Sequence, residues 1–124
     1  MLPEKFLECL EHEGIVAIGS CSAEGQVHIV NTWHRFVLVT GDGKLLIPAG
    51  GMAQTEENVK KNPRVELTLG SYEVMGEKSP GVGFLLTGKA EFLDSGEHLE
   101  AIRAKCGFGS RVLVITPESC KQTM

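Results

Sequence analysis

The sequence predicts a mainly β domain, a β-barrel with peripheral helices. About seven short runs rich in apolar and β-branched residues, mostly joined by tight turns, indicate strands. Strands and helices do not alternate along the chain, which disfavours a doubly wound parallel sheet. Because many short strands in one small domain hide their edges best when the sheet closes or nearly closes, we expect a barrel.

Length and composition are those of one globular domain, residues 1–124. The net charge is −4 and no run of Lys or Arg occurs, so we expect no nucleic-acid partner. The apolar runs fall far short of the ~20 residues that span a bilayer, and no secretory leader follows Met1. The sequence therefore predicts a cytoplasmic protein with no membrane partner.

The cysteines and histidines are scattered and match no metal-site spacing. We therefore expect no metal and, for an intracellular protein with a normal core, reduced thiols. The residues concerned are Cys9, Cys21, Cys106 and Cys120, and His12, His28, His34 and His98.

The first half of the chain predicts one helix and four strands. An apolar stripe between Pro3 and Glu13 indicates a helix, and Gly14 suits its end. Apolar runs predict strands at 15–18, 27–33, 36–40 and 44–47. The turn Gly41-Asp42-Gly43 closes a hairpin between the last two.

The second half predicts two helices and three strands. A short polar helix before Asn62-Pro63 leads to a strand at 64–69 with clear period-two alternation. A flexible polar loop at 76–83 precedes a long strand at 84–93, in which Gly88 indicates a bend or bulge. A helix from Asp94-Ser95 to Gly107 and a buried strand at 111–116 follow, and then a polar C-terminus.

The chain is organised around the segment that joins the strand ending near Pro48 to the polar helix. Gly50 and Gly51 let another group approach the bare backbone. The helix N-terminus that follows, with Thr55 in its first turn, suits a phosphate. The alternative is that the glycines only make a turn and Thr55 only caps the helix.

A second candidate is Asn31-Thr32-Trp33, which contains the single Trp of the chain. Asn offers a donor and an acceptor, Thr a hydroxyl and Trp a flat apolar face, so the three together suit a ligand. The alternative is a strand end whose Trp lies in the core and whose polar residues bind backbone.

The order and spacing of these segments resemble the pyridoxamine 5′-phosphate oxidase-like FMN-binding split-barrel family, over essentially the whole chain. The matching segments are Ile29-Val30-Asn31-Thr32-Trp33, Pro48-x-Gly50-Gly51-Met52, Thr55-Glu56-x-Asn58-Val59, Leu67-Thr68-Leu69-Gly70-Ser71, and Leu113-Val114-Ile115-Thr116 with Gln122-Thr123. The resemblance implies a six-stranded Greek-key split barrel. It also implies a homodimer with FMN bound at the interface.

The resemblance also implies site residues. Asn31, Thr32 and Trp33 would contact the flavin and ribityl groups. Gly50, Gly51 and Thr55, in one segment with Pro48 and Gln54, would contact the ribityl chain and phosphate. Glu13 would lie near the other subunit's cofactor, Phe108 would stack beside the flavin where the family pattern has a Trp, and Met124 would cover the ring.

Gln54 is the clearest departure, because the family pattern has a lysine there that pairs with the phosphate. The exchange removes a charge-assisted contact worth roughly 1.5–3 kcal/mol. One hypothesis is that Arg35 supplies the missing positive charge; the alternative is that Arg35 is a solvated turn residue.

The function that the resemblance implies is a dimeric electron-transfer flavoprotein that passes electrons to a redox partner, since the flavin carries the chemistry. A flavin-dependent reductase or oxidase of the same family is the alternative. Another alternative is a cofactor-free binding module. A third is the same barrel with a different ligand, such as a larger flavin, or haem held through His28 or His34.

Overall fold

Seven strands form one antiparallel sheet in the computed structural model, which describes residues 1–124, and three helices lie around it. The strands are β1 (Ile15–Cys21), β2 (Val27–Trp33), β3 (Leu38–Val39), β4 (Leu45–Ala49), β5 (Arg64–Met75), β6 (Pro80–Leu93) and β7 (Arg111–Gln122). The helices are α1 (Glu4–Cys9), α2 (Ala53–Lys61) and α3 (Glu97–Cys106), and one 3₁₀ turn covers His34–Phe36. The mainly β class is confirmed. The six-strand count was wrong, because the two-residue β3 pairs with β4 and makes a seventh strand.

The strands lie in the order β2-β1-β5-β6-β7-β4-β3, and the sheet curls around one core. Ile18 near one end of the sheet and Ile47 near the other belong to the same buried cluster as Leu67 and Phe84 in between. A flat sheet could not bring its two ends into one cluster, so the curl follows from the burial of these side chains.

The helices cover the two faces of the sheet differently. Phe6 of α1 is fully buried in the main core and packs edge-on against Phe84 at 5.7 Å between ring centroids. Leu99 and Ile102 of α3 form a second cluster on the opposite side of β4 and β7. Because β4 and the start of β7 are covered on both faces, their sequences are continuous apolar runs rather than alternating ones.

Gly88 carries a β-bulge, as predicted. The register between β6 and β7 shifts between Thr87 and Gly88, and a Cβ at Gly88 would lie only 2.5 Å from the Thr116 carbonyl oxygen. The close approach of backbone at the bulge therefore requires glycine at this position.

Several element predictions differ from the structure. The strands predicted at 15–18 and 64–69 continue to Cys21 and Met75. The strand predicted at 36–40 is only Leu38–Val39, because the 3₁₀ turn takes its start. The predicted loop at 76–83 is largely a hairpin in which Met75 pairs with Pro80, and the predicted polar C-terminus continues β7 to Gln122. The first helix ends at Cys9 instead of Glu13.

All four cysteines are free thiols, as predicted. Burial raises the pKa of the Cys9, Cys106 and Cys120 thiols, which keeps them protonated near neutral pH. Each of the three helices falls short of the length and apolar character that crossing a bilayer requires.

Candidate functional site

The turn between β4 and α2 is strained and uncapped. Met52 directly precedes α2 with φ 66° and ψ 34°, and it is the one non-glycine residue with a positive φ. No side chain caps the N-terminus of α2. Left-handed backbone at a residue with a side chain costs energy, and such strain tends to occur at ligand sites.

Thr55, in the first turn of α2, is fully buried, and its hydroxyl has no hydrogen-bond partner within the protein. A buried hydroxyl without a partner is unfavourable. The first-turn amides of a helix also lack intrahelical acceptors and carry a partial positive charge. The turn therefore presents donors suited to an anion such as a phosphate.

Gln54 does not reach beyond the helix. Its amide donates to Asn58 Oδ1 at 2.9 Å, and the Asn58 amide donates to Ser20 Oγ at 3.1 Å. This chain of bonds ties α2 to β1 and folds the Gln54 side chain back along the helix. An uncharged Gln54 thus contributes to the attachment of α2 and supplies no positive charge.

Arg111 supplies a positive charge at the same turn, which the sequence patterns did not reveal. Its Nη2 donates to the Gly51 carbonyl at 2.6 Å, and its Nε lies 2.9 Å from Glu56 Oε1. Arg111 begins β7, 60 residues after Gly51, so no local spacing links the two.

The Asn31-Thr32-Trp33 segment is split between two faces of β2. Asn31 and Trp33 are exposed, Trp33 by 52%, whereas Thr32 is 8% exposed and points to the other side. Side chains of a strand alternate in this way, so the three cannot all face one ligand through their side chains.

Trp33 opens onto a cleft of about 380 Å³. Its lining residues are Glu13, Gly14, Trp33, His34, Arg35 and Phe36. Arg35 donates to Glu13 at 2.7 Å, and both side chains are exposed at the mouth of the cleft. Arg35 is therefore paired with the Glu13 carboxylate beside the cleft.

His34 is the buried polar residue of this cleft, 1% exposed. Its Nδ1 lies 2.8 Å from the His12 carbonyl oxygen, which accepts the Nδ1 proton, and its Nε2 has no partner. The ring packs on Gly14, where an added Cβ would lie 2.6 Å from Cε1.

Phe108 connects the cleft with the glycine turn. Its ring packs edge-on against Phe36 with centroids 5.0 Å apart. The next residues reach the end of β4: a Cβ on Gly109 would lie 3.1 Å from Pro48, and Ser110 Oγ donates to the Ala49 carbonyl at 3.3 Å. Residues 108–111 thus run from the aromatic side of the site to the anion side.

Within one copy of the chain, Met124 lies apart from the other predicted site residues. The Gly83 amide donates to its carbonyl at 3.2 Å, and its side chain lies over Gly83 on the outer face of β6. With β1 and β5 between them, β2 and β6 are three strand spacings apart, so about 14 Å separates Trp33 from Met124.

The outer face between these two residues carries exposed apolar residues, small residues and a few polar ones. Exposed Ile15 and Ile29 flank it on β1 and β2. Small residues form its middle: Ala17, Gly19, Gly70 and Gly83. Asn31, Thr68 and Glu66 also lie on this face. Exposed apolar residues grouped in this way are typical of a surface that another protein covers.

The model of the family described as pyridoxamine 5′-phosphate oxidase matches residues 2–124. A protein from Nitratidesulfovibrio vulgaris (strain DSM 19637 / Miyazaki F) named FMN-binding protein is 44% identical over 124 residues, 100% of each chain. The chain belongs to the pyridoxamine 5′-phosphate oxidase family. The family resemblance predicted from the sequence is thereby confirmed.

Solved structures show the fold of this pyridoxamine 5′-phosphate oxidase family member. HupZ from Group A Streptococcus has a TM-score of 0.77 at 18% identity, with 99% of this chain and 94% of that chain covered. HutZ, the haem storage protein of Vibrio cholerae, has a TM-score of 0.68 at 16% identity, with 97% and 93% covered. Because neighbours with this fold differ in their named roles, the ligand must be argued from the site.

Within this family member the predicted site residues form two groups. Pro48, Gly50, Gly51, Gln54 and Thr55 lie together at the start of α2, and Glu13 and Trp33 lie together in the cleft, with Phe108 between the groups. Their roles toward a ligand stay predictions. The structure adds two residues that the motifs missed, Arg111 and Phe36, and it places in the cleft His34, which the sequence offered only as a haem ligand.

Proposed function

We propose that this chain binds FMN and acts as a dimeric electron-transfer flavoprotein. The observation that carries the proposal is the buried, unpaired hydroxyl of Thr55 at an uncapped helix N-terminus. An anion there would satisfy both the hydroxyl and the first-turn amides. The full-length relative named FMN-binding protein supports FMN as the ligand.

The residues present fit the two ends of FMN. Gly50, Gly51 and Thr55 would hold the phosphate, where the backbone is bare and the helix dipole favours negative charge. Trp33 and Phe108 offer exposed aromatic faces for the ring. Asn31, on the same face of β2 as Trp33, offers amide donors and acceptors for its polar edge.

The cleft favours electron transfer, because its charged side chains are already paired with each other. FMN supplies one- and two-electron redox chemistry when bound. Glu13 is paired with Arg35, and one nitrogen of His34 is bonded to the His12 carbonyl. The Nε2 of His34 is therefore the remaining candidate for proton transfer to a substrate, and it is buried. A reductase or oxidase, which needs such a group in contact with substrate, is the second candidate.

The dimer is proposed from the outer face of the sheet. That face carries Trp33 at one side and the 75%-exposed Met124 at the other. A two-fold axis through the face would bring Met124 of one copy towards Trp33 of the other, since a two-fold interface uses the same patch twice. This arrangement agrees with the expected position of Glu13 near the other subunit's cofactor and with the expected role of Met124 as a cover for the ring.

The test begins with the colour of the purified protein. We expect a flavin absorption spectrum, binding of one FMN per chain by isothermal titration calorimetry, and a dimer by light scattering. Colourless protein that ignores added FMN would contradict the proposal and leave the cofactor-free module. A parallel titration with haem tests the haem alternative. Steady NAD(P)H turnover by the yellow protein would favour the reductase.

A further inference from the structure

We infer that Arg111 is the positioning residue that gives the α2 turn its preference for a phosphorylated flavin. The inference rests on the proposed function and identifies which part of this chain replaces the lysine that the family pattern has at Gln54. Arg111 would act by holding the carbonyl of Gly51 and by neutralising Glu56, both of which belong to the turn.

The contacts of Arg111 hold its side chain in one place. Nη2 donates to the Gly51 carbonyl at 2.6 Å, and Nη1 donates to Ser110 Oγ at 2.8 Å. Nε lies 2.9 Å from Glu56 Oε1, and the guanidinium stands 5.6 Å from the centroid of the Phe92 ring. Two guanidinium nitrogens thus donate hydrogen bonds, whereas Nε makes an ion pair with Glu56 but no aligned hydrogen bond. A guanidinium held by these contacts and an aromatic face has little freedom, so the Gly51 carbonyl is held as well.

The charge of Glu56 explains why a cation is needed here. Glu56 lies in the first turn of α2, beside the amides that would hold the phosphate. An unpaired carboxylate there would repel the phosphate, and the repulsion would be strong because both side chains of the pair are only 22% exposed. The Arg111–Glu56 pair removes this repulsion and leaves the positive end of the helix dipole effective.

Arg111 is the cation that the structure places on this turn. Arg35, the other candidate from the sequence, is bound to Glu13 at the mouth of the Trp33 cleft. Gln54 is uncharged, and its amide is bonded to Asn58. Arg111, which lies 60 residues after Gly51 at the start of β7, therefore takes the place of the missing lysine.

The experiment compares FMN with riboflavin, which lacks the phosphate, by calorimetry on the dimeric protein. Arg111→Gln should lower FMN affinity by about tenfold or more while changing riboflavin affinity much less, because the lost contacts are charge-assisted. The double variant Arg111→Gln/Glu56→Gln should recover part of the FMN affinity, since the uncompensated carboxylate is gone. Arg111→Lys, which keeps the charge, should lie between the two proteins.

The control is Arg64→Gln, which breaks the Arg64–Glu66 pair on β5 and should leave the FMN-to-riboflavin ratio unchanged. An unchanged ratio in Arg111→Gln, or an equal loss for both ligands with no recovery on adding Glu56→Gln, overturns the inference. If Arg111→Gln does not fold, a ratio in Arg111→Lys equal to that of the unmodified protein overturns it instead. Unmodified protein that binds neither ligand would contradict the proposed function.

Discussion

Thr55 shows how one side chain can point to a ligand. A threonine hydroxyl in the first turn of a helix usually accepts or donates a hydrogen bond, or it faces water. In this chain it does neither, since it is fully buried with no partner. The protein alone would be more stable with an apolar group of the same shape, so we expect a trade between stability and binding.

Thr55→Val tests this trade. The valine has the same shape without the hydroxyl, so the ligand-free protein should gain about 1 kcal/mol in the free energy of unfolding. FMN affinity should fall by about tenfold, the loss of one charge-assisted bond. Urea unfolding of the ligand-free protein and calorimetry measure the two effects. Thr116→Val, at an exposed position of β7, is the control. A less stable variant with unchanged FMN affinity would contradict the expectation.

Gly14 is a second single-residue test, because it packs against the buried ring of His34. Gly14→Ala would place a methyl group 2.6 Å from His34 Cε1, so the ring or the backbone must move. We expect a loss of about 1–3 kcal/mol in the free energy of unfolding, which is usual for overpacking. Urea unfolding measures the loss.

Gly41→Ala is the matched control for Gly14→Ala. A Cβ at Gly41 has no atom within 4 Å, and its φ is not in the left-handed region. The change in stability should stay within about 0.5 kcal/mol. Equal effects of the two substitutions would show that the contact with His34 is not a tight one.

At the scale of elements, the hairpin between β3 and β4 depends on a side-chain bond within its turn. The Thr40 hydroxyl donates to the Asp42 carboxylate, and the Lys44 amide donates to the Thr40 hydroxyl. The bond from Thr40 holds the pKa of Asp42 below its usual value. A carboxylate with a lowered pKa in the folded state contributes stability above its unfolded pKa, and this is lost as the pH falls through the folded value.

Asp42→Asn should therefore be less stable than the unmodified protein at about pH 7, and the difference should shrink as the pH falls through the acid range where Asp42 protonates. The effect should be small, because Asp42 is fully exposed to solvent. Urea unfolding of both proteins over a pH series measures it. A difference that grows towards acid pH would contradict the assignment.

The elements that the sequence predicted well are those with a burial pattern. Period-two alternation in β5 and the continuous apolar run in β7 marked both strands, because their side chains pack on the core. The ends of β5, β6 and β7 were missed, since isolated core residues such as Val74 and Val82 give too short a burial pattern among largely exposed neighbours. A short 3₁₀ turn such as His34–Phe36 leaves even less pattern, so the strand predicted at 36–40 was drawn too long.

At the scale of the whole molecule, the outer sheet face is the feature that bears on whether the functional unit is one copy or two. One edge of the sheet is β2, whose exposed Val27, Ile29 and Trp33 lie on that face. An exposed apolar edge strand is open to pairing or aggregation unless something covers it. A second copy seated on this face would cover the strand and Trp33 together.

Ala17→Arg tests the proposed dimer. Ala17 lies in the middle of the outer face, opposite Asn31 of β2 and Thr68 of β5. Two arginines facing each other across a two-fold axis repel and resist burial, so the variant should be monomeric and should bind FMN more weakly. Light scattering after gel filtration gives the mass.

Ala104→Arg is the control for the dimer, because it makes the same change at an exposed position of α3. This variant should remain a dimer with unchanged FMN affinity. An Ala17→Arg variant that elutes as a dimer would contradict the proposed interface.

The site could be predicted from the sequence only where neighbours in the chain form it. The Gly50-Gly51 turn and α2 are adjacent, so their grouping at one place was visible in the sequence. Arg111 and Phe108 come to the same region through the pairing of β4 with β7, which brings Ala49 opposite Arg111. No local pattern encodes that register, so the cation of the site became apparent only in the folded chain.

The position of Trp33 makes its fluorescence a reporter of the cleft and of the outer sheet face. It is the single Trp, it is half exposed, and it lines the cleft where the ring of the ligand is proposed to lie. Indole emission therefore reports one location, with no second Trp to subtract. Its quenching would follow a ring arriving in the cleft, and a shift of its emission to the blue would follow the loss of water when a second copy covers the strand.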